Sequence, residues 1–146
     1  MQRMARTLRV AVCGGLLAFS LASGIAWAQD LATAPPGGEF QPVSKLVPLP
    51  DFIPGMGTLY VDPDTLPVGP FLGYDRDGRL VNVTFMVPLD DLVAHRNWTD
   101  LADIANWFPV EHVDLMYNPG HPGVAEPHYH VVLWRISHAD EQARMR

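Results

Sequence analysis

The chain has 146 residues, a formal net charge of −6 and a mean hydropathy of +0.05. Residues 1–28 hold three of the ten basic residues and no acidic one, so the rest of the chain has 7 basic against 16 acidic residues, a charge of −9. This charge repels a phosphate backbone and argues against nucleic-acid binding. A chain of this size buries about two-thirds of its surface, enough for one domain.

Residues 1–28 have the three parts of a secretory signal peptide. MQRMARTLR carries three arginines, VAVCGGLLAFSLASGIA is apolar, and a small-x-small motif ends at Ala28. This pattern favours cleavage over a membrane anchor. The only cysteine, Cys13, lies inside the segment, so the remaining chain has no disulfide, thiol nucleophile or cysteine-based metal site. We therefore expect a secreted or periplasmic protein with no membrane span after cleavage.

A proline-rich stretch comes next, because residues 29–54 contain six of the 14 prolines. Residues 29–53 are predicted to form an extended leader. The alternate prolines bar a helix from the apolar stretch LVPLPDFIPGMG, which is predicted to lie over the domain in extended form. Apolar side chains of this stretch that stay exposed are the expected contact surface for a partner or a second copy. Strands are predicted for GTLYV, FLGY and RLVNVTFMV, with a hairpin turn at Asp77-Gly78 between the last two. In RLVNVTFMV, apolar residues alternate with Asn82 and Thr84, which predicts a half-buried antiparallel strand.

Two short helices are predicted next, over PLDDLVAHR and over TDLADIANWF, residues 99–108. VEHVDLMY and HYHVVLWRIS read as two further strands, joined by a loop rich in proline and glycine. The order of elements predicts a single α+β domain over residues 54–138, with an antiparallel sheet of about four to five strands and two short helices. Residues 139–146 are predicted to be a polar tail.

A group of histidines on the last two strands is the candidate metal site. His128 and His130 are two residues apart, so they point to one face, and His112 and Asp114 have the same spacing on the preceding strand. Antiparallel pairing in an even register puts all four on one face, and His121 in the loop can fold over them. These five side chains are candidate ligands for a divalent zinc, copper, iron or nickel ion, which the sequence does not identify.

A structural interpretation of the histidines stays open. Val132, Trp134 and Ile136 continue their face of the strand and the opposite face is also apolar, so the histidines can be polar residues at the surface end of a buried strand. No glutamate follows them before Glu141, which argues against a cupin, and no G-x-S-x-G motif or phosphate loop occurs. The absence of a complete catalytic set favours a non-catalytic domain that binds a small ligand or assembles with itself. A metal-binding protein or metal-dependent enzyme is the alternative.

Four segments occur in the order PGMGTLYVDP, VTFMV, PVEHVDLMYNPGHPG and EPHYHVVLW, between about Pro54 and His138. Together they resemble a family of small secreted bacterial domains of unknown function, typified by the Thermus TTHB-type protein. The resemblance implies secretion, an α+β fold with an antiparallel sheet, and self-assembly as a homo-oligomer. It implies no established activity.

The family pattern also differs from this chain at candidate ligands. It has histidines at the positions of Leu59 and Val132, and an aspartate at the position of His130. The positions that match its pattern are His112, Asp114, His121 and His128. A metal site built on the family pattern would lack two of its ligands here and have a third exchanged, which favours the non-enzymatic interpretation.

Overall fold

The protein is known from a computed structural model that describes residues 31–102 and 109–146. They form one antiparallel sheet of six strands in the order β1-β2-β3-β4-β6-β5. The strands are β1 (Gln41–Pro42), β2 (Thr58–Val61), β3 (Phe71–Tyr74), β4 (Leu80–Pro88), β5 (His112–Asn118) and β6 (His128–Trp134). The short α-helices are α1 (Val43–Leu46), α2 (Leu89–Val93) and α3 (His138–Arg144), and a 3₁₀ turn covers Pro63–Thr65. The α+β class with an antiparallel sheet is confirmed.

The sheet has six strands, rather than four to five, because part of the predicted leader forms β1 at its edge. Helix α1 follows directly, so residues 29–53 are not extended throughout. Gln41 pairs with Val61, and Pro42 pairs with Tyr60. Proline is compatible with this position because an edge strand can leave its N–H side unpaired.

Of the two predicted helices, the first contains α2. The second is wrong at its start, because residues 99–102 form no helix and Asp100 has a φ of 53°. Its remainder, residues 103–108, lies outside the described residues, as does the predicted signal peptide.

β4 is buried on both faces, so the half-buried strand predicted from its alternation is wrong. Asn82 and Thr84 are 0% and 1% exposed. Their polar groups are satisfied internally, because Thr84 Oγ1 donates to Asn82 Oδ1 at 3.2 Å and Asn82 Nδ2 donates to the Met56 carbonyl at 3.1 Å. The segment around Met56 therefore covers the polar side of β4.

The apolar segment LVPLPDFIPGMG lies over the sheet, as the sequence predicts. Its partly buried side chains lie against a buried cluster on α1 and β2. The side chains of the segment that contact this cluster are Val47, Leu49, Ile53 and Met56. Leu46, at the start of the segment, lines a cavity beside it. This segment and α1 cover one face of the sheet.

Residues 139–146, predicted as a polar tail, contain most of α3 and contribute to the core. Met145 is 2% exposed and lies in a buried cluster with Trp134. Arg144 forms an ion pair with the buried carboxylate of Asp75, in the turn between β3 and β4. The end of the chain therefore packs back across the sheet. Within the described residues, none of the helices has the length and apolar character needed to cross a bilayer.

Candidate metal-binding sites

β5 and β6 pair antiparallel, as the sequence predicts, with His112 opposite Trp134. Residues directly opposite each other share a face, so His112 and Asp114 lie on the same face as His128 and His130. Trp134 is four positions beyond His130, which places His112 about 13 Å from His130 along the sheet. The five candidate ligands therefore share a face but divide into two groups.

The first group consists of His121, His128 and His130, here called the three-histidine group. One ring nitrogen of each lies within 4.8 Å of those of the other two. The Nε2 atoms of His128 and His130 are 3.1 Å apart, and the ring centroids of His121 and His128 are 4.9 Å apart. Two ligands of a tetrahedral ion with bonds of about 2.1 Å are about 3.4 Å apart. The separation of the two Nε2 atoms is therefore close to that of a ligand pair, and it also fits a hydrogen bond.

Backbone carbonyls orient two of these three rings. His128 Nδ1 lies 2.7 Å from the Glu126 carbonyl oxygen, and His121 Nδ1 lies 3.0 Å from the Pro122 carbonyl oxygen. A carbonyl only accepts, so each Nδ1 donates its proton, and in the neutral ring Nε2 keeps a lone pair. Histidines that bind metals in proteins almost always have such a partner on the other nitrogen.

The histidines of β6 are buried rather than at the surface end of the strand, because the loop that carries His121 folds over them. His128 and His130 are 0% and 8% exposed. Burial lowers the pKa of His130, the charges of His128 and His121 lower it further, and it reaches about 4. The His130 ring is therefore neutral near pH 7, which is the form that binds metal ions.

The three-histidine group borders a cavity of about 270 Å³, and His121 and His130 form part of its wall. Most of the remaining wall is apolar and comes from α1, residues 47–56 and strands β2 to β4. Representative members are Val43, Ile53, Leu59, Phe71 and Met86. The described residues of the wall include no Asp, Glu, Lys or Arg. The cavity therefore suits an apolar molecule.

The second group joins His112 to His138 and Glu141 on α3, and we call it the α3 group. One ligand atom of each lies within 4.8 Å of the others. Glu141 Oε2 is 2.8 Å from His138 Nδ1 and 3.4 Å from His112 Nε2. Asp114 lies at the margin, with its Oδ2 3.9 Å from His112 Nε2. His138 and Glu141 were not among the predicted ligands, because an i, i+3 spacing on one helical face was the only sign of their proximity.

The fold and these two groups define a small α+β domain with histidine clusters on one face of an antiparallel sheet. Among solved structures, the chain is similar to the crystal structure of the hypothetical protein TTHB210 from Thermus thermophilus, with 48% sequence identity and a TM-score of 0.59. The match covers 66% of this chain and 87% of that one. The chain therefore belongs to the same uncharacterised family as TTHB210, as the four sequence segments indicate. No family model and no curated protein matches it.

Proposed function

We propose that the protein binds a divalent transition-metal ion through His121, His128 and His130, beside a cavity that holds a small apolar ligand. The observation that carries this proposal is the convergence of three imidazoles, two of which, His121 and His130, line the cavity. Three protein ligands leave at least one coordination position for a water molecule or a bound ligand. Imidazole ligands suit zinc, copper, iron and nickel.

The competing interpretation is a metal-free contact in which His130 Nε2–H donates to His128 Nε2. Two features favour the metal. The contact between two rings needs no third imidazole, yet the ring of His121 lies 4.9 Å from that of His128 and 6.0 Å from that of His130. The Nδ1 partners of His121 and His128 also leave Nε2 of both rings as the nitrogen that can bind an ion.

The cavity limits the size and chemistry of the ligand. Its volume of about 270 Å³ is slightly below the range of roughly 300–1,000 Å³ that is common for drug-sized molecules. Its wall provides apolar surface and two imidazoles, and its described residues include no carboxylate or ammonium group. We therefore propose a small molecule with an apolar body whose polar end reaches the metal, and a binding role rather than catalysis.

Metal analysis of the untagged protein tests the proposal. We expect bound metal in the purified wild type, and a Zn²⁺ affinity that falls more than about 100-fold in His128→Gln, since loss of a ligand exceeds the cost of losing its outer partner. His95→Asn is the matched control, because His95 is exposed, lies outside both groups and has a φ of 57° that Asn tolerates. Equal Zn²⁺ binding by the wild type and His128→Gln would contradict the proposal.

Filling the cavity tests the ligand half separately. Leu59 is 8% exposed and lines the cavity, so Leu59→Trp should abolish the binding of an apolar fluorescent probe. Leu92→Trp is the control, since Leu92 is 43% exposed on α2. If both variants bind the probe as the wild type does, the cavity is not its site.

A second candidate function is self-assembly through strand β5. This strand is at the edge of the sheet, and Val113, Leu115 and Tyr117 on one of its faces are 56%, 67% and 56% exposed. Exposed apolar edge strands are common sites of association. Light scattering should find an oligomer in the wild type and a monomer in Leu115→Lys, whereas Val93→Lys, a change at a side chain 71% exposed on α2, should leave the oligomer intact. A monomeric wild type at high concentration would contradict this candidate.

We further propose secretion, on the basis of the signal-peptide pattern of residues 1–28. The first residue of the processed protein is then Gln29. N-terminal sequencing of protein from the periplasm or medium is the test. Recovery of the chain only in the cytoplasm, with its N-terminus intact, would exclude this route.

A further inference from the structure

We propose that His112, His138 and Glu141 form a second divalent-metal site, which fastens helix α3 to the edge strand β5. This α3 group lies on the same sheet face as the three-histidine group but at the other end of strands β5 and β6. The two groups share no residue. The proposal therefore does not depend on the proposed function of the first group.

The first observation is a buried nitrogen without a hydrogen bond. His112 Nε2 is inaccessible to solvent and has no hydrogen-bond partner, although Glu141 Oε2 is only 3.4 Å away. Leaving a buried polar atom unpaired costs free energy, and a metal ion bound to that nitrogen removes the cost. Ligand atoms around a tetrahedral ion with bonds of about 2.1 Å are about 3.4 Å apart. The separation of the two atoms therefore suits a ligand pair better than a hydrogen bond.

The second observation is the support behind the His112 ring. It stacks on the indole of Trp134, with centroids 5.7 Å apart and an interplanar angle of 16°. Trp134 is 0% exposed, and its Nε1 donates to Asp114 Oδ2 at 2.8 Å. Trp134 therefore holds both the ring plane of His112 and the carboxylate of Asp114. Asp114 Oδ2, 3.9 Å from His112 Nε2, is placed to act as a further ligand or to hold a metal-bound water.

Helix α3 supplies the other two ligands from one face. His138 and Glu141 are three residues apart, and His138 Nδ1 forms a hydrogen bond with Glu141 Oε2 at 2.8 Å, which a bound ion would replace. Ser137 caps the helix, because its Oγ accepts a hydrogen bond from the Asp140 N–H at 3.2 Å. The side chain of Glu141 is 13% exposed and that of His138 is 73% exposed, so the ion reaches the site from the His138 side.

The donor set indicates the class of ion. Two imidazole nitrogens with one or two carboxylate oxygens suit Zn²⁺ and similar borderline ions, whereas Ca²⁺ and Mg²⁺ prefer oxygen ligands alone. The competing interpretation is an ion pair in which Glu141 bridges two protonated imidazoles. Only the metal site predicts that substituting one of these residues lowers the number of Zn²⁺ ions bound per protein molecule.

The test is calorimetric titration of untagged, metal-stripped protein with Zn²⁺, in the wild type and in Glu141→Gln and His138→Gln. We expect the wild type to bind two equivalents, and each variant to lose one, because ligand loss weakens affinity more than about 100-fold. His138→Gln is the safer variant for folding, since its side chain is 73% exposed. His95→Asn is again the control and should bind two equivalents.

The outcomes separate the two sites. If Glu141→Gln and His138→Gln bind Zn²⁺ as the wild type does, the α3 site is overturned, and adventitious surface binding gives this same result. If only His128→Gln loses an equivalent, the α3 site fails and the three-histidine site stands. If only the α3 variants lose an equivalent, the α3 site stands and the three-histidine site fails. Hydrogen exchange is the second measurement, since Zn²⁺ should slow exchange of the α3 amides in the wild type and not in Glu141→Gln.

Discussion

The His130 imidazole titrates well below its usual range because it is buried among other imidazoles. Burial first, and then the charges of His128 and His121, lower its pKa from 6.5 to about 4. Between these pH values the unfolded chain binds a proton that the folded protein does not. The free energy of unfolding therefore rises with pH across this range. The contribution of the His130 ring is complete above pH 6.5 and is lost as the pH falls to 4. We expect this ring to make the metal-free protein about 3 kcal/mol less stable at pH 4 than at pH 7.

Urea unfolding at several pH values measures this effect. His130→Gln should lose about 3 kcal/mol less than the wild type between pH 7 and pH 4, whatever its stability at pH 7. The exposed ring of His95 provides the control, and His95→Asn should follow the wild-type pH dependence. The same slope in wild type and His130→Gln would show that this ring does not titrate as inferred.

The buried carboxylate of Asp75 is expected to contribute to the stability of the fold. It is 4% exposed, its Oδ1 accepts from the Asp77 and Arg79 N–H groups at 3.0 and 2.9 Å, and its Oδ2 pairs with Arg144. Asp75→Ala leaves those donors unpaired and should lower the free energy of unfolding by about 3 kcal/mol. Asp51→Ala, at an exposed site, should change it by less than about 0.5 kcal/mol. A loss below about 1 kcal/mol in Asp75→Ala would mean that water replaces the carboxylate.

Helix α3 is fixed to the core by Met145, the residue that directly follows it. This side chain is 2% exposed and packs with Val81, Val132 and Trp134. Met145→Ala should cost about 3 kcal/mol in urea unfolding, because it removes buried methylene groups and leaves a cavity. Val93→Ala, at a side chain 71% exposed, should cost less than about 0.5 kcal/mol. Equal, small effects in both would show that α3 unfolds independently of the sheet.

The strand pairing was predictable from the sequence because it depends on local periodicity. The spacing of His128 and His130, and of His112 and Asp114, puts all four side chains on one face in an even register, and β5 and β6 pair in that way. Spacing could not say how far the strands slide along each other. The register sets His112 opposite Trp134, and this divides the ligands that the sequence grouped together.

The places where the segment around Met56 and helix α3 pack on the sheet were not predictable, because they depend on contacts between distant parts of the chain. Periodicity assigned Asn82 to a solvent face, whereas Met56 covers it and accepts its hydrogen bond. His138 and Glu141 gave no strong signal, since their role depends on α3 folding back to β5. The partner of a short helix is set by tertiary packing rather than by its own sequence.

At the scale of the whole molecule, the two histidine groups join the sheet to the segments that cover it. The three-histidine group connects β6 to the loop that carries His121, and the α3 group connects β5 to the C-terminal helix. An ion at each group would bind the folded chain, where the ligands converge, more tightly than the unfolded one, so it would add to the global stability. The groups lie about 13 Å apart along the sheet, far enough for their effects to be independent.

The stabilisation by metal at the two groups should be additive. At a free Zn²⁺ concentration 100 times the dissociation constant, one site adds about 2.7 kcal/mol to the free energy of unfolding, so the wild type should gain about 5.4 kcal/mol. His128→Gln and Glu141→Gln should each gain about half of that, and the double variant should gain nothing measurable. Urea unfolding with and without Zn²⁺ measures these gains, and His95→Asn should match the wild type. If the sum of the two single-variant gains differs from the wild-type gain by more than about 0.5 kcal/mol, the sites are coupled through the sheet, and the separation inferred from the β5–β6 register is wrong.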